Sequence, residues 1–395
     1  MNEKQKVIFV NNNMDIGGVQ KSLINLLNEI KYDFDITLLL FSDTGENIIN
    51  IPSEVKVITT NSFFECLGVS QRESKKKKSL YFLRGFLALI TKIFGRKYGM
   101  KLVLMSQKKL SEKYDFAISF LQNGGNHSFY GGCNEFVLNK INANEKITFL
   151  HCDYNQCGAN TSYNNLLYRK FDKIAACSEG CRKSFLNVLP DLKDKCYTVT
   201  NCHDFKNIKS LSCDKTIEYD QSFLNVISVA RLSQEKGIER GIKAIKYCKD
   251  RGEKIKYHVI GDGILKSELL DLTSELNLTD DVILHGNKKN PYRYMKNADL
   301  LLIPSFHEAA PLVIDEALCL NLPVLSTKTT SAEDMILNRE IGWVSDNSTN
   351  ELCKTLFKIN KDSVKIKKNV LSNIKCNNNK AVQEFYEILE ARYEN

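Results

Sequence analysis

Long apolar runs are missing from this 395-residue chain, and their absence is the first constraint. No stretch reaches the roughly twenty apolar residues that cross a bilayer, so a spanning transporter or receptor is not expected. Near the amino terminus only Val7-Ile8-Phe9-Val10 is apolar, too short for the core of a signal peptide. Cys-x-x-Cys is absent as well, although the chain has 13 cysteines. Pairs such as Cys152/Cys157 and Cys177/Cys181 lack counterparts at zinc-site spacing, and Cys177 and Cys319 sit in apolar stretches as small hydrophobes. A reducing cytoplasm is the simplest home for such thiols. Gly-x-Gly-x-x-Gly is not found, which leaves a dinucleotide cofactor with little support. Neither repeats nor low-complexity linkers occur.

Positive charge is scarce outside one segment. Residues 72–109 hold twelve Lys/Arg against the single acid Glu73, more than the net +8 of the whole chain, so the remainder is slightly acidic. That is not the protein-wide basic field of a nucleic-acid binder, and no nucleic-acid partner is expected. The same segment carries Phe82, Leu83, Phe86, Leu87, Ile90, Ile93 and Phe94 at helical spacing. A basic amphipathic helix reads as a membrane-surface element, whereas the plainer reading packs its apolar face on its own domain with the lysines in water. The run Lys75-Lys76-Lys77-Lys78 makes anionic lipid head groups a candidate partner of residues 72–109.

What is present is ordinary in composition, 43% hydrophobic and 26% charged, and long enough that two domains are favoured over one. Short apolar or β-branched runs at 7–11, 36–41, 55–59, 116–121, 147–151, 174–177 and 197–200 alternate with helical patterns such as 19–30 and 179–189. After a polar, patternless stretch at 205–221, a second series follows at 224–230, 257–260, 282–284, 300–303, 323–325 and 342–344. Its helical patterns fall at 237–248, 265–276 and 313–320. Strand–helix alternation predicts α/β domains with parallel sheets covered on both faces. The domain boundary is expected near 201–220, and 380–394 reads as one more amphipathic helix.

Ligands of such domains bind beyond the carboxyl ends of the strands, where several notable residues fall. Glu308 and Glu316 stand eight positions apart around Pro311, which suits a first helical turn whose free N–H groups attract phosphate. If helical, that spacing covers about 12 Å, enough for two hydroxyl-bearing groups of one nucleotide-sugar to meet a carboxylate each. A solvated helix acid beside an unrelated loop acid explains the pair equally well. Arg231 and Lys236 lie on the turn directly after an apolar strand, where two fixed cations could stabilise a diphosphate leaving group; the plainer alternative pairs them with Glu235 at the surface. Gly17-Gly18-Val19 opens a helix after the first strand, and Gly261-Asp262-Gly263 makes a tight turn after another, with Asp262 a possible helix cap. His151 ends a strand and could bond a sugar hydroxyl, though a lone histidine is more often structural. His203-Asp204 fits hinge packing or a ligand contact.

Taken together, these residues resemble the retaining glycosyltransferases of family 4, the glycosyl transferases group 1. The resemblance is strongest over 226–341, through Arg231/Lys236, Gly261-Asp262-Gly263, His285-Gly286, Ala298-Asp299, Glu308…Glu316 and Gly342, with echoes at Gly17-Gly18-Val19, His151 and Asn201…Asp204. It implies a GT-B fold, two Rossmann-like domains facing each other across a cleft. Residues 1–203 would bind the acceptor and 204–376 the nucleotide-sugar donor, and 377–395 would return as a helix to the first domain. By the resemblance Arg231 and Lys236 bind the donor diphosphate, Glu316 holds the ribose, and Glu308 and His151 contact the transferred sugar, so that Glu308, His151, Arg231 and Lys236 form the catalytic set. Gly17 and Gly18 would lie near the diphosphate. The base would rest by Gly261, Gly263 and Asn287 in the 285–288 loop, and the backbone of Ala309, Ala310 and Leu312 would cradle phosphate. No metal and no other cofactor is implied; the acceptor hydroxyl attacks on the leaving-group face and a phosphate oxygen takes its proton. Two departures stand out: Ala309 replaces the usual glycine, and Cys202-His203 interrupts the usual Asn-Pro-x-Asp.

The expectation is therefore a hexosyl- or related glycosyltransferase using a UDP-sugar. Its acceptor would be a saccharide, lipid-linked, at the cytoplasmic face of the membrane, in bacterial capsule, lipopolysaccharide or other surface-polysaccharide synthesis. The alternatives are a non-catalytic GT-B partner and a same-fold sugar-nucleotide epimerase.

Overall fold

The computed structural model describes residues 4–215, 217–359 and 361–391, which form two compact units. The first runs to Cys202 and takes up the chain again from Asn378; the second is His203–Asn377.

The first unit is built on seven parallel strands: β1 (Lys6–Asn11), β2 (Asp35–Leu40), β3 (Lys56–Thr59), β4 (Lys113–Ser119), β5 (Asn142–Leu150), β6 (Lys173–Ala176) and β7 (Cys196–Thr198). Their order is β3-β2-β1-β4-β5-β6-β7, so the winding direction reverses between β1 and β4. β1 reads KVIFVN and is buried along nearly its whole length, as a strand covered on both faces must be. Val7 and Phe9 enter one core cluster while Ile8 and Val10 enter another, the period-two alternation across a pleat.

β5 begins five residues before the apolar run that signals it. Asn142 to Lys146 are polar, but their backbones pair with β4, Asn142 opposite Lys113 and Glu145 opposite Phe116. Backbone pairing extends a strand where side-chain hydropathy gives no sign of it.

The helix Asn379–Glu390 belongs to the first unit. Ala381, Phe385, Ile388 and Leu389 fall at helical spacing and join its core, with Phe385 stacked 6.2 Å from Phe9 and edge-on to Phe34. Glu384 accepts from the amide and hydroxyl of Thr200 at 2.8 and 2.7 Å, and Lys173 donates to the Leu389 carbonyl at 3.2 Å. Positions 392–394 of the expected tail helix lie outside the described residues.

The second unit has six parallel strands: β8 (Leu224–Val229), β9 (Ile255–Ile260), β10 (Val282–Gly286), β11 (Leu300–Ile303), β12 (Val324–Thr327) and β13 (Gly342–Ser345). In the order β10-β9-β8-β11-β12-β13 the reversal lies between β8 and β11. The stretch 205–221, patternless in sequence, is not a linker. Its first part is the helix Phe205–Ser212, started by the Asp204 carboxylate, which accepts from the Asn207 amide. Ile208 buries into the core of the second unit. A helix with so few large apolar residues hides from a periodicity search; its cap is the signal that could have revealed it.

Candidate active site

In open α/β sheets the crevice for a ligand lies at the winding reversal, beyond the carboxyl ends of the strands. In the second unit that point is flanked by the turn after β8, carrying Arg231 and Lys236, and the loop after β11, carrying Glu308. The two are stitched together. The Phe306 amide donates to the Glu235 carbonyl at 2.9 Å. Gly237 adopts φ +59°, and a Cβ there would stand 2.3 Å from the Pro304 carbonyl oxygen, so only glycine permits this approach.

As a result Lys236 Nζ lies 2.7 Å from Glu308 Oε1, although 72 positions separate them in the chain. Ser305 Oγ donates to the same oxygen at 2.8 Å. The pair keeps limited access to solvent, 22% for Lys236 and 10% for Glu308. The loop beneath is fixed by hydroxyls: Thr327 Oγ1 donates to the Ser305 carbonyl and Ser331 Oγ to the Ala309 carbonyl. An acid and a base thus stand together at a rim, with polar atoms on the solvent side, able to meet a phosphate and a hydroxyl of one ligand.

Arg231 does not join them. It is 72% exposed and reaches Glu235 at 3.3 Å, the pairing expected of a surface turn. Ser233 Oγ holds the same Glu235 oxygen at 2.6 Å. Burial would raise the Glu235 carboxyl, but the Ser233 hydroxyl, its own backbone amide and the neighbouring Arg231 and Lys236 bring it below its ordinary value.

Pro311 is not in the first helical turn. The helix is Val313–Cys319, with Leu312 before it, so Pro311 precedes the cap. Glu316 is the fourth helical residue, and the 12 Å span expected of eight helical residues does not apply, because most of that spacing is loop. The Ile314 and Glu316 amides are also engaged already, donating to the Pro311 and Leu312 carbonyls. Glu316 is buried, with Tyr292 Oη donating to Oε1 at 3.3 Å.

Next to it sits a group the sequence reading passed over. Asp315 pairs through Oδ2 with His203 Nε2 at 3.3 Å and through Oδ1 with Arg339 Nη1 at 2.8 Å. Burial works to raise the Asp315 carboxyl, but His203 and Arg339 outweigh it and hold it at about 2. His203 is therefore packing inside the second unit, and Asp204 is a helix cap. The signal was adjacency: an acid beside Glu316 on a short helix must face another way.

Gly261 and Gly263 occupy the turn after β9. A Cβ on Gly261 would fall 1.8 Å from the Ala230 carbonyl oxygen, and the Gly261 amide donates to the Gly286 carbonyl at 3.0 Å, so the ends of β8, β9 and β10 close on each other. Asp262 is not a helix cap; the helix Lys266–Glu275 has Leu265 there, and Asp262 bonds the adjacent Gly263 amide. Asn287 follows β10 directly. His285 stacks on His258, ring nitrogens 3.2 Å apart, and burial lowers both, His258 to about 4.

Gly17 and Gly18 do not follow β1 directly; a loop from Asn12 to Gly17 intervenes, pinned where Asn13 Nδ2 reaches the Gly68 carbonyl and the Met14 amide reaches Thr44. Gly18 opens the helix Gly18–Ile30, whose start has no side-chain cap. His151 follows β5 with its ring packed against both Phe120 and Phe149, centroids 4.8 and 5.7 Å away. Burial lowers it from 6.5 to about 4, so it is neutral at pH 7, and among the described residues its buried Nε2 has no hydrogen-bond partner. That is the state suited to a hydroxyl. Below pH 6.5 the unfolded chain takes up a proton that folded His151 refuses, so stability falls from pH 6.5 to 4, by about 3 kcal/mol from this residue. Urea unfolding of His151→Phe should show a correspondingly flatter pH dependence over that interval. An unchanged slope would mean that the ring is not held neutral.

Among the described residues no group of His, Cys, Asp and Glu could hold a metal ion. The 13 cysteines are all free, with Cys152 and Cys157 sulfurs 3.0 Å apart and Cys177 and Cys181 3.8 Å apart.

Residues 217–373 match the family model of glycosyl transferases group 1. The match lies inside the second unit and includes the paired rim residues. An uncharacterized glycosyltransferase of Methanocaldococcus jannaschii is 30% identical over 184 residues, 45% of this chain and 45% of its own, so the chain spans under half the length of that relative. The N-acetylgalactosamine-N,N'-diacetylbacillosaminyl-diphospho-undecaprenol 4-alpha-N-acetylgalactosaminyltransferase of Campylobacter jejuni is 26% identical over 355 residues, 87% of this chain and 88% of its own. Among solved structures, HepE of Anabaena in complex with UDP-glucose superposes with a TM-score of 0.64 at 16% identity, covering 98% of each chain. The fold is GT-B, two parallel-sheet α/β units.

Proposed function

We propose that this chain is a retaining glycosyltransferase that moves a sugar from a nucleotide-sugar, UDP-linked, to a saccharide acceptor carried on a lipid. The setting is the synthesis of a bacterial capsule or other surface polysaccharide. The observation that carries the reading is the Lys236–Glu308 pair at the winding reversal of the second unit, with Glu316 buried in the helix that follows. The group 1 match over 217–373 and the names of both relatives support sugar transfer, and the undecaprenol carrier in the Campylobacter enzyme's name supports a lipid-linked acceptor.

In this reading Lys236 meets the diphosphate, where negative charge grows as the glycosidic bond breaks. Arg231, free to swing from a surface pairing worth little, turns to the same phosphates when they arrive. Glu308 takes a hydroxyl of the transferred sugar and so fixes the anomeric carbon against the leaving group. Glu316 anchors the ribose. His151 offers a neutral Nε2 to a sugar hydroxyl. The acceptor hydroxyl attacks on the leaving-group face and a donor phosphate oxygen takes its proton, so the anomeric configuration is kept.

Thermal-shift titration with UDP-, GDP- and ADP-sugars should single out UDP-sugars. Incubation with a polyprenyl-diphosphate-linked saccharide should then release UDP and yield an α-linked product from an α-linked donor. Failure to bind any nucleotide would instead favour a non-catalytic GT-B partner, and a change of sugar without any acceptor would favour an epimerase.

A further inference from the structure

Residues 72–109, read in sequence either as a surface-binding or as an inward-packing element, pack one apolar face inward and leave a second exposed. In the helix Lys78–Phe94, Leu80, Leu87 and Thr91 are buried and Leu83 packs beside them in the core of the first unit. Phe82, Phe86, Leu89 and Ile93 follow the spacing 4, 3, 4 on another face and are exposed, Phe82 to 72%. At about 100° per residue the two stripes are well separated around the axis, so one helix carries two apolar faces and its own unit covers one.

The exposed face continues onto the next helix, Arg96–Met105. Phe94 meets Tyr98 edge-on with ring centroids 6.3 Å apart, and Tyr98, Leu102 and Met105 extend the line at spacing 4 and 3, Met105 being 73% exposed. Lysines frame it: Lys75 to Lys78 at one end, Lys92, Lys97 and Lys101 along it, Lys108 and Lys109 at the other, all exposed. Beside Met105 a cavity of about 420 Å³ is lined by Lys97, Lys101, Lys140 and Lys170 over Leu104, and no acid lines it.

We infer that this helical hairpin docks on an anionic lipid bilayer, with its apolar stripe among the acyl chains, its lysines at the head groups and the four-lysine cavity seating a lipid phosphate. A water-facing row of aromatic and aliphatic side chains needs an apolar partner, and the surrounding charge requires that partner to be negative. A second copy of the chain meets the first need and fails the second, because a two-fold contact would bring the two lysine sets together. No helix among the described residues is long and apolar enough to cross a bilayer, so the hairpin lies on the surface. The inference stands without the proposed reaction.

Sedimentation of the full chain with vesicles tests it. Binding to phosphatidylcholine vesicles containing 30% phosphatidylglycerol is expected to be at least tenfold tighter than to phosphatidylcholine alone, and to weaken at least tenfold from 0.05 to 0.5 M NaCl. The exposed triple variant Phe82→Ser/Phe86→Ser/Ile93→Ser and the separate variant Lys97→Gln/Lys101→Gln should each lower affinity at least tenfold, with circular dichroism and Tm unchanged. UDP-sugar binding should be the same in these variants, which separates this surface from the donor site. Equal binding to neutral vesicles, absence of binding to anionic ones, or a dimer in solution that the triple variant dissolves would each overturn it.

Discussion

Replacing Glu308 by alanine should lower kcat for sugar transfer by about 100- to 1,000-fold, the usual cost of losing one preorganised polar group at a reacting centre. The fold should survive the change. Glu308 pairs with Lys236 and Ser305 with limited access to solvent, so its removal leaves a partly screened lysine, and the loss in stability should be about 1–3 kcal/mol. Lys236→Ala should reduce kcat by a similar factor. The double variant should be little worse than either single one, because two residues gripping one substrate act as a unit. Arg231→Ala serves as the contrast: an exposed side chain that reaches ligand only after moving should cost less than either. Steady-state kinetics with UDP release as the readout decides the matter, and full turnover by Glu308→Ala and Lys236→Ala would remove these two residues from the site.

The second large effect concerns stability. Arg96 and Glu135 are 1% and 0% exposed and meet at 2.8 Å within the first unit. The guanidinium is further held by Asn123 Oδ1 at 2.9 Å and by the carbonyls of Ser128 and Tyr130, while Asn123 Nδ2 returns to Glu135 Oε2 at 3.0 Å. Asn123 also donates to Asn164 at 3.2 Å. The network ties the start of the helix Arg96–Met105 to the helix Cys133–Lys140 and to the segment after β4. Arg96→Met or Glu135→Leu alone would strand a buried charge and should cost about 3–5 kcal/mol in urea unfolding. The double variant should recover a large part of that loss, because no charge is then left without its counterpart. A single variant losing less than about 1 kcal/mol would mean that water or a rearranged side chain replaces the pair.

These two clusters also mark how much could be read from the sequence. The strands were legible because β1, β11 and their neighbours are short apolar runs between polar turns, and that pattern alone places all thirteen. The rim residues were legible because they follow strands: Lys236 after β8, Gly261 after β9, Glu308 after β11. Other features were not. The contact between Lys236 and Glu308 depends on the winding reversal, a property of strand order that no local window contains. Pro311 fits a helix start by its fixed φ, yet the helix begins two residues later at Val313, in a segment whose carbonyls are held by Ser331 and Thr327. Arg96, in a segment otherwise rich in solvated lysine, looked like more surface charge. Only tertiary packing separates one buried arginine from its exposed neighbours.

The helix Asn379–Glu390 carries a consequence for how the protein is made. Its Phe385 packs on Phe9 and Phe34, so segments that precede and follow the second unit in the chain share one core. A ribosome delivers β1 first and this helix only after the whole of the second unit. The second unit can complete its core as soon as it leaves the exit tunnel. The first must wait, with the surface around Phe9, Phe34 and Leu27 unsealed, until Asn379–Glu390 emerges behind the second unit. In the growing chain the first unit is completed only after the second, and that interval is when it most needs protection by chaperones.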